Sequence, residues 1–225
     1  MAINLDIVSK LHHKVFSSFE VMEYPWRFIE DPYKIMLSEF MLHRTQANQV
    51  VPVYIQMVET YPDLPAFVDE KEEILLNQMS SLGLVWRQKG MILALQKIHT
   101  LYGQVPPEYD KLISIDGIGP YIAGAVYCFS TNKPVALVDT NTVRVIGRIF
   151  NLRLEGEARR RKEVKEAIDQ TTPMNNPRYY YYAMIDHAHQ TCLVSNPLCE
   201  KCPLVDICSY CQNMQLSSHN PPKTL

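Results

Sequence analysis

Residues 112–130 read LISIDGIGPYIAGAVYCFS, two apolar segments joined by the tight turn Gly117-Ile118-Gly119. Glycine is scarce, with 8 among 225 residues, and it allows backbone conformations and close approaches that a side chain blocks. Pro120 is a preferred first residue of a helix, so the stretch predicts a helix, a hairpin and a second helix. Backbone N–H groups at the start of the second helix, helped by the helix dipole, would bind a phosphate. An ordinary connection between two helices has the same pattern, so both interpretations stay open.

On both sides of the hairpin, apolar residues recur every three or four positions, as in an amphipathic helix. Leu5, Val8 and Leu11 show this spacing near the N-terminus. No alternating strand pattern occurs in the sequence, which predicts an all-α fold. Further helices are predicted near residues 32–47, 71–80, 87–101, 107–114, 120–130, 139–151, 160–171 and 177–190. The polar, proline-containing residues 212–225 predict a disordered tail.

Composition and charge limit the function. No apolar stretch approaches the ~20 residues of a membrane span, and the N-terminus lacks the features of a signal peptide. We therefore expect an intracellular protein with no membrane partner, whose cysteines bind metal or react rather than form disulfides. The net charge of −2 argues mildly against nucleic acid, but a local basic face decides such binding. Basic residues concentrate at 87–89 and 159–162.

Four of the six cysteines fall within 17 residues: Cys192, Cys199, Cys202 and Cys208. Thiolates are soft ligands, and so compact a loop can surround a [4Fe–4S] cluster or a tetrahedral zinc ion. Zinc sites more often contain two CxxC pairs, whereas this run has one CxxC with unequal flanks. Four unrelated buried thiols are the alternative. We predict that Cys128 is a core residue and that Cys211 is a spare thiol, or else a substitute for the last ligand.

A second motif, VDTNTVR at residues 138–144, follows the hairpin by about one helix and a short turn. An Asp before a helical run is by default an N-cap, and without the other motifs Asp139 would be interpreted as an N-cap only. Hairpin, VDTN and cysteine loop in this order are more specific. Over roughly residues 15–211 the combination resembles the helix-hairpin-helix (HhH-GPD) superfamily of DNA glycosylases. The cysteine spacing resembles that of the endonuclease III class, which implies a [4Fe–4S] cluster as the cofactor.

This resemblance implies two helical lobes. One is a six-helix barrel over residues 24–134, and the other combines residues 1–23 and 135–211 around the cluster. A monomer would bind double-stranded DNA in a cleft between the lobes, with the mismatched or damaged nucleotide flipped out. Such an enzyme acts in base excision repair, in the cytoplasm at the nucleoid.

The resemblance also implies site residues. Asp139 matches the catalytic Asp of the family, whose carboxylate stabilises positive charge that develops on the deoxyribose. Gly117 and Gly119 would contact the DNA backbone. In bifunctional members a lysine near the start of the second hairpin helix attacks the sugar as an amine, and Tyr121 stands there instead. A phenol cannot form a Schiff base, so we expect a glycosylase without lyase activity. Tyr121 is either a catalytic neighbour of the sugar or a packing aromatic.

The choice of base depends on residues 31–50, DPYKIMLSEFMLHRTQANQV. Glu39 lies there on a predicted helix, and an apolar surrounding would raise its pKa and suit it to protonate a leaving base. A solvent-facing glutamate is the alternative. Two branches of the superfamily resemble this stretch. One comprises adenine glycosylases that act on A·G or A·8-oxoguanine, and the other mismatch glycosylases that remove thymine or uracil opposite guanine.

Adenine glycosylases typically read LQQTQ where residues 42–46 read LHRTQ, and GLGYYxRAR where residues 81–89 read SLGLVWRQK. The His43-Arg44 pair and Leu84 resemble the thymine/uracil branch. Adenine glycosylases also usually carry an added C-terminal domain, whereas 17 residues follow the last ligand here. Thymine or uracil opposite guanine is therefore the predicted substrate.

Adenine remains the alternative, because Gln46 and the GPY sequence around Pro120 occur in adenine glycosylases too. We expect Arg44 to fill the gap left by the flipped base or to donate to the guanine edge, with His43 and Gln46 beside it. Trp86 is predicted to be a core residue rather than a stacking residue. A second alternative is a cluster-bearing DNA-binding module without catalytic activity.

Overall fold

A computed structural model of the protein describes residues 3–219, with side chains described over residues 3–214. The chain forms two compact units. We call Glu23–Lys133 the central unit, and Met1–Met22 with Pro134–Leu225 the terminal unit.

In the described part of the chain every regular element is helical, which confirms the predicted all-α fold. Short 3₁₀ segments join some of the α-helices. None of the described helices is long and apolar enough to cross a membrane. The α-helices are α1 (Leu5–Ser18), α2 (Pro32–Leu42), α3 (Ala47–Thr60), α4 (Leu64–Val68), α5 (Glu72–Gln78), α6 (Val85–Tyr102), α7 (Tyr109–Ile113), α8 (Pro120–Thr131), α9 (Thr140–Ile149), α10 (Lys162–Thr171), α11 (Pro177–Gln190) and α12 (Ser209–His219).

Helix α2 forms the core of the central unit. Eight of its eleven residues are buried, and it packs against α3, α6 and α8. A helix that is apolar on nearly all sides is stable only when other elements surround it. Its first turn is fixed by Asp31, whose side chain accepts a hydrogen bond from the backbone N–H of Tyr33 at 2.9 Å. The consequence is that Glu39, in the middle of α2, is carried into the interior.

The predicted helix over residues 32–47 is wrong at its C-terminal end. Helix α2 stops at Leu42 and α3 begins at Ala47, and between them Arg44 adopts a left-handed conformation with φ of +64°. The backbone N–H of Thr45 then donates to the Leu42 carbonyl at 3.2 Å. Turns are usually marked by Gly, Pro, Asn or Asp, and this one contains none of them. The sequence therefore gives no sign that the helix ends before residue 47.

Helix α9 organises the terminal unit, where it packs against α10, α11 and α12, while α1 packs against α11. Val143 and Ile146 belong to the buried face of α9. Arg144 and Arg148 are four residues apart, a spacing that places two side chains on one face of a helix. Both guanidinium groups contact the segment that begins the cysteine loop.

Residues 212–219 belong to α12, where the sequence predicts a disordered tail, and residues 220–225 lie outside the described part. The first turn of α12 explains the difference. Cys211 is buried, and the Tyr210 ring lies 4.7 Å from the guanidinium carbon of Arg148. Because the first turn is the costly step in helix formation, anchoring it allows the polar sequence that follows to continue as helix.

Candidate active site and cysteine centre

Asp139 is the N-cap of α9, as its position before a helical run predicts. Its Oδ1 accepts a hydrogen bond from the Thr142 backbone N–H at 2.7 Å, and the Thr142 hydroxyl oxygen accepts one from the Asp139 N–H at 3.1 Å. This reciprocal pair is a capping box. The other oxygen, Oδ2, accepts from the Asn141 amide at 2.8 Å. A carboxylate oxygen can accept more than one bond, so Oδ2 retains capacity for a substrate group.

Asn141 and Arg144 connect Asp139 to the start of the cysteine loop. The Asn141 side-chain oxygen accepts from Arg144 at 3.2 Å, and Arg144 Nε donates to the Cys192 carbonyl at 2.7 Å. A terminal nitrogen of Arg144 also donates a hydrogen bond to the Ala188 carbonyl, at 2.9 Å. Burial is the main cause that lowers the pKa of Arg144, yet an arginine stays charged at neutral pH. One chain of hydrogen bonds therefore fixes both the Asp139 carboxylate and the backbone of the first cysteine.

Five free thiols line one cavity of about 310 Å³, open solvent included. They are the four cysteines of the predicted loop and one more: Cys192, Cys199, Cys202, Cys208 and Cys211. Arg148 donates to Cys192 Sγ at 3.2 Å and to the Leu193 carbonyl at 2.7 Å. The His187 ring nitrogen Nε2 lies 3.6 Å from Cys202 Sγ. The structure thus brings the four predicted ligands to a single place.

The donor set fits a negatively charged group held by sulfur ligands. No carboxylate is among the described residues that line the cavity, and the Arg148 cation donates to one of the sulfurs. Burial raises the pKa of the Cys202 thiol to about 11, so this thiol is protonated at neutral pH. Burial, with the charge of Arg144, lowers the pKa of His187 to about 4. Within the described residues, no group of three or more His, Cys, Asp or Glu side chains is arranged to hold a metal ion.

In the central unit, Glu39 has 6% of its surface exposed, which rules out the solvent-facing alternative. Its neighbours Ser38 and Phe40 are also buried, because α2 is surrounded by α3, α6 and α8. Burial of a carboxylate is unfavourable unless other groups compensate it. A buried carboxyl group can give a proton to, or accept one from, a base that reaches it.

The turn between α2 and α3 presents His43, Arg44 and Gln46 to solvent. Thr45, within the same turn, accepts hydrogen bonds from both terminal nitrogens of Arg87 at 3.2 Å each. Arg87 lies in the first turn of α6 and is only 4% exposed, and burial lowers its pKa. A side chain from a distant part of the sequence therefore holds the turn that bears Arg44.

The predicted hairpin is present as α7, a turn and α8. Gly117 has a φ of +89° and lies beside α6, where an added Cβ would meet the Gly90 carbonyl oxygen at 3.7 Å. Gly119 has an ordinary φ of −86° as the N-cap of α8, and a Cβ there would face open space. Its missing side chain therefore leaves the start of α8 accessible to a ligand. Tyr121, in the first turn of α8, is half-buried.

Trp86 is 62% exposed, so its prediction as a core residue is wrong. It follows Leu84, which adopts a left-handed conformation with φ of +52°, and Val85, which is also exposed. Leu82, Arg87 and Gln88 are the buried residues on either side. The first turn of α6 thus directs Trp86 toward solvent. In α8, by contrast with Trp86, Cys128 is predicted to be a core residue, and its complete burial confirms that prediction.

No family model matches the chain, but individual proteins do. A thymine-DNA glycosylase of Aeropyrum pernix is 31% identical over 197 residues, which cover 84% of this chain and 87% of that protein. The chain belongs to the helix-hairpin-helix family of DNA glycosylases. Family membership confirms the predicted class of enzyme, acting on DNA in repair, and gives no support to a non-catalytic module.

Two further members of this glycosylase family bear on the branch. An adenine DNA glycosylase of Buchnera aphidicola is 30% identical over 200 residues, which cover 88% of this chain but 57% of that protein. The solved structure of a thermostable thymine-DNA glycosylase matches with a TM-score of 0.81 at 26% identity, covering 93% of this chain and 96% of that one. Both branches considered from the sequence are therefore represented among the relatives.

Sequence reasoning missed several contacts of this glycosylase. The spacing of Arg144 and Arg148 signals a shared helix face. No local signal indicates that Arg87 reaches Thr45, because the two residues lie 42 positions apart.

Proposed function

We propose that this glycosylase hydrolyses the N-glycosidic bond of thymine or uracil mispaired with guanine, and leaves the DNA strand intact. The observation that carries the proposal is the exposed Arg44 in its left-handed turn. Guanine presents two acceptors, O6 and N7, that match the fork of a guanidinium group. In 8-oxoguanine the N7 atom carries a proton, so the same arginine is poorly matched to it. Uracil differs from thymine only by the missing methyl group, and a site that accepts thymine also has room for it.

For the chemical step, we propose that Asp139 stabilises the positive charge that develops on the deoxyribose as the bond to the base breaks. Its Oδ2, with one hydrogen bond from Asn141, has a lone pair available. The capping box holds the carboxylate in place before substrate arrives, and such preorganised charge is worth most in the transition state. The same oxygen is suited to orient the attacking water.

We propose that Glu39 stabilises the departing base. A thymine or uracil that leaves carries negative charge, which a proton or a hydrogen bond from the buried carboxyl group stabilises. His43, Arg44 and Gln46, in the turn just after α2, are proposed to contact the DNA around the mispair. Gly117 and Gly119 are proposed to let a DNA phosphate approach the start of α8.

Tyr121 supports hydrolysis without strand cleavage. It stands near the start of α8, where a lyase needs an amine, and a phenol forms no imine with the sugar. Water is then the nucleophile, and the product is an intact strand with an abasic site. We further propose that the protein acts as a monomer on chromosomal DNA inside the cell.

For the cofactor, we propose a [4Fe–4S] cluster held by Cys192, Cys199, Cys202 and Cys208. Zinc draws each thiolate to within about 2.3 Å of one atom, whereas a four-iron cluster is a larger body that spreads its ligands over a cavity. When bound, the cluster supplies folding energy that fixes the loop.

The test is a cleavage panel on labelled duplexes that contain G·T, G·U, A·G, A·8-oxoguanine or matched pairs. We expect base loss from G·T and G·U, strand breaks only after hot alkali, and no protein–DNA adduct on borohydride trapping. Excision of adenine alone would instead assign the chain to the adenine branch. A trapped adduct with the wild-type protein would show that an amine reaches the sugar, against the role inferred from Tyr121.

A further inference from the structure

A [4Fe–4S] cluster is held by four cysteine thiolates, whereas five cysteines line the cysteine cavity. Cys211 is only 3% exposed and lines the cavity with the other four cysteines. Its side chain interacts with those of Cys199 and Cys208. Cys211 is therefore a neighbour of two of the four predicted ligands in the same cavity.

The register of α12 explains this proximity. Cys208 directly precedes the helix, and its carbonyl accepts a hydrogen bond from the Gln212 backbone N–H at 3.1 Å, so the first turn closes over it. Residues three apart in a helical turn lie on the same side. Cys211 thus points to the cavity from the same edge as Cys208, whereas Cys192 and Cys202 are contacted by Arg148 and His187.

We propose that Cys211 is an alternate iron ligand that replaces Cys208, an inference that rests on the proposed cluster. In the exchange, the bond between iron and the Cys208 sulfur breaks and a bond to the Cys211 sulfur forms. The proton of the Cys211 thiol passes to the released Cys208 thiolate, so no electron is gained or lost. Because the incoming sulfur is already buried in the cavity, the exchange requires little movement of the backbone.

The test compares the full-length protein, purified without oxygen, as wild type, Cys208→Ser, Cys211→Ser, Cys202→Ser and the Cys208→Ser/Cys211→Ser double variant. Iron and acid-labile sulfide per chain are measured, together with the electron paramagnetic resonance spectrum after reduction. We expect Cys208→Ser and Cys211→Ser each to keep the wild-type iron content and a four-iron spectrum. The double variant should lose iron, as should Cys202→Ser, because Cys202 lies outside the helical turn that brings Cys208 and Cys211 together.

The comparison between Cys208→Ser and the double variant decides the proposal. Equal iron in the two, whether both are high, both are low or both are insoluble, shows that Cys211 does not take the place of Cys208. Wild-type protein that contains zinc or no iron would overturn the cluster itself and this inference with it. The two failures are distinguishable, because only the second is visible in the wild type.

Discussion

Two carboxylates of this protein are proposed to work on the same reaction, and the chain holds them in opposite ways. Asp139 sits at the end of a helix, half-exposed, and its hydrogen bonds come from residues within three positions of it. Glu39 sits in the middle of a helix and is buried by elements that are distant in sequence. The first is positioned by local chain geometry, and the second by the packing of the central unit.

The difference shows which properties a local motif can encode. A capping box requires only Asp139, Thr142 and the helix between them, so its geometry survives as long as α9 forms. The environment of Glu39 exists only when α2 is enclosed, so any change in that packing alters its surroundings. Removal of charge should therefore have different consequences for stability at the two sites.

The largest effect is expected for Asp139→Asn. Asparagine is as good an N-cap as aspartate, but its NH2 group cannot accept the hydrogen bond from the Asn141 amide. The thermal unfolding temperature should therefore fall only slightly, while loss of the charge should lower single-turnover excision by roughly 10²–10³-fold. Rapid-quench kinetics on a G·T duplex measure the rate. Asp63→Asn is the matched control, because Asp63 caps α4 through the Ala66 N–H and should leave the rate unchanged. Near-normal excision by Asp139→Asn would reduce Asp139 to a helix cap.

A smaller loss of rate is expected for Glu39→Gln. Glutamine keeps the shape and can still donate a hydrogen bond, but it cannot transfer a proton, so excision should fall by roughly tenfold to a hundredfold. A buried amide is less costly than a buried carboxylate, so the free energy of unfolding should stay equal or increase. Glu72→Gln, at an exposed ion pair with Lys89, is the control for both measurements. A variant that is destabilised but fully active would mean that Glu39 serves only the packing of α2.

The smallest effect is expected for Thr45→Val, which alters the turn after α2 without touching either carboxylate. Loss of the hydroxyl leaves the buried Arg87 without this acceptor, at a cost of about 1–3 kcal/mol in unfolding free energy. The Arg44 turn should loosen, and the preference for an abasic site opposite guanine over one opposite adenine should fall by roughly fivefold, equivalent to about 1 kcal/mol. Fluorescence anisotropy with the two duplexes measures the preference.

Thr45→Ser restores the hydroxyl and should restore the preference, which separates this hydrogen bond from a general effect of the substitution. If Thr45→Val loses stability but keeps the full preference for guanine, the contact with Arg87 is structural only.

The same contrast between local and distant causes explains what the sequence could predict. The hairpin, the N-cap at Asp139 and the gathering of the cysteines all follow from residues close together in the chain, and the structure contains them. The turn at residues 43–46 could not be predicted, since a left-handed arginine carries no compositional mark. Burial of Glu39, exposure of Trp86 and the continuation of α12 beyond Cys211 depend on which elements pack together. The catalytic and DNA-binding roles of the site residues stay predictions until the variants are measured.

The residues in left-handed conformations affect how such an enzyme can be stabilised by mutation and how its sequence changes during evolution. Four of the six described non-glycine residues with positive φ are asparagines, which tolerate this conformation, and the other two are Arg44 and Leu84. Each of these two holds backbone strain of roughly 1–3 kcal/mol. A thermostability screen would reward their replacement by Gly or Asn, and a population under selection only for folding would accumulate the same changes. If Arg and Leu nevertheless persist at these positions, selection for recognition has outweighed selection for stability.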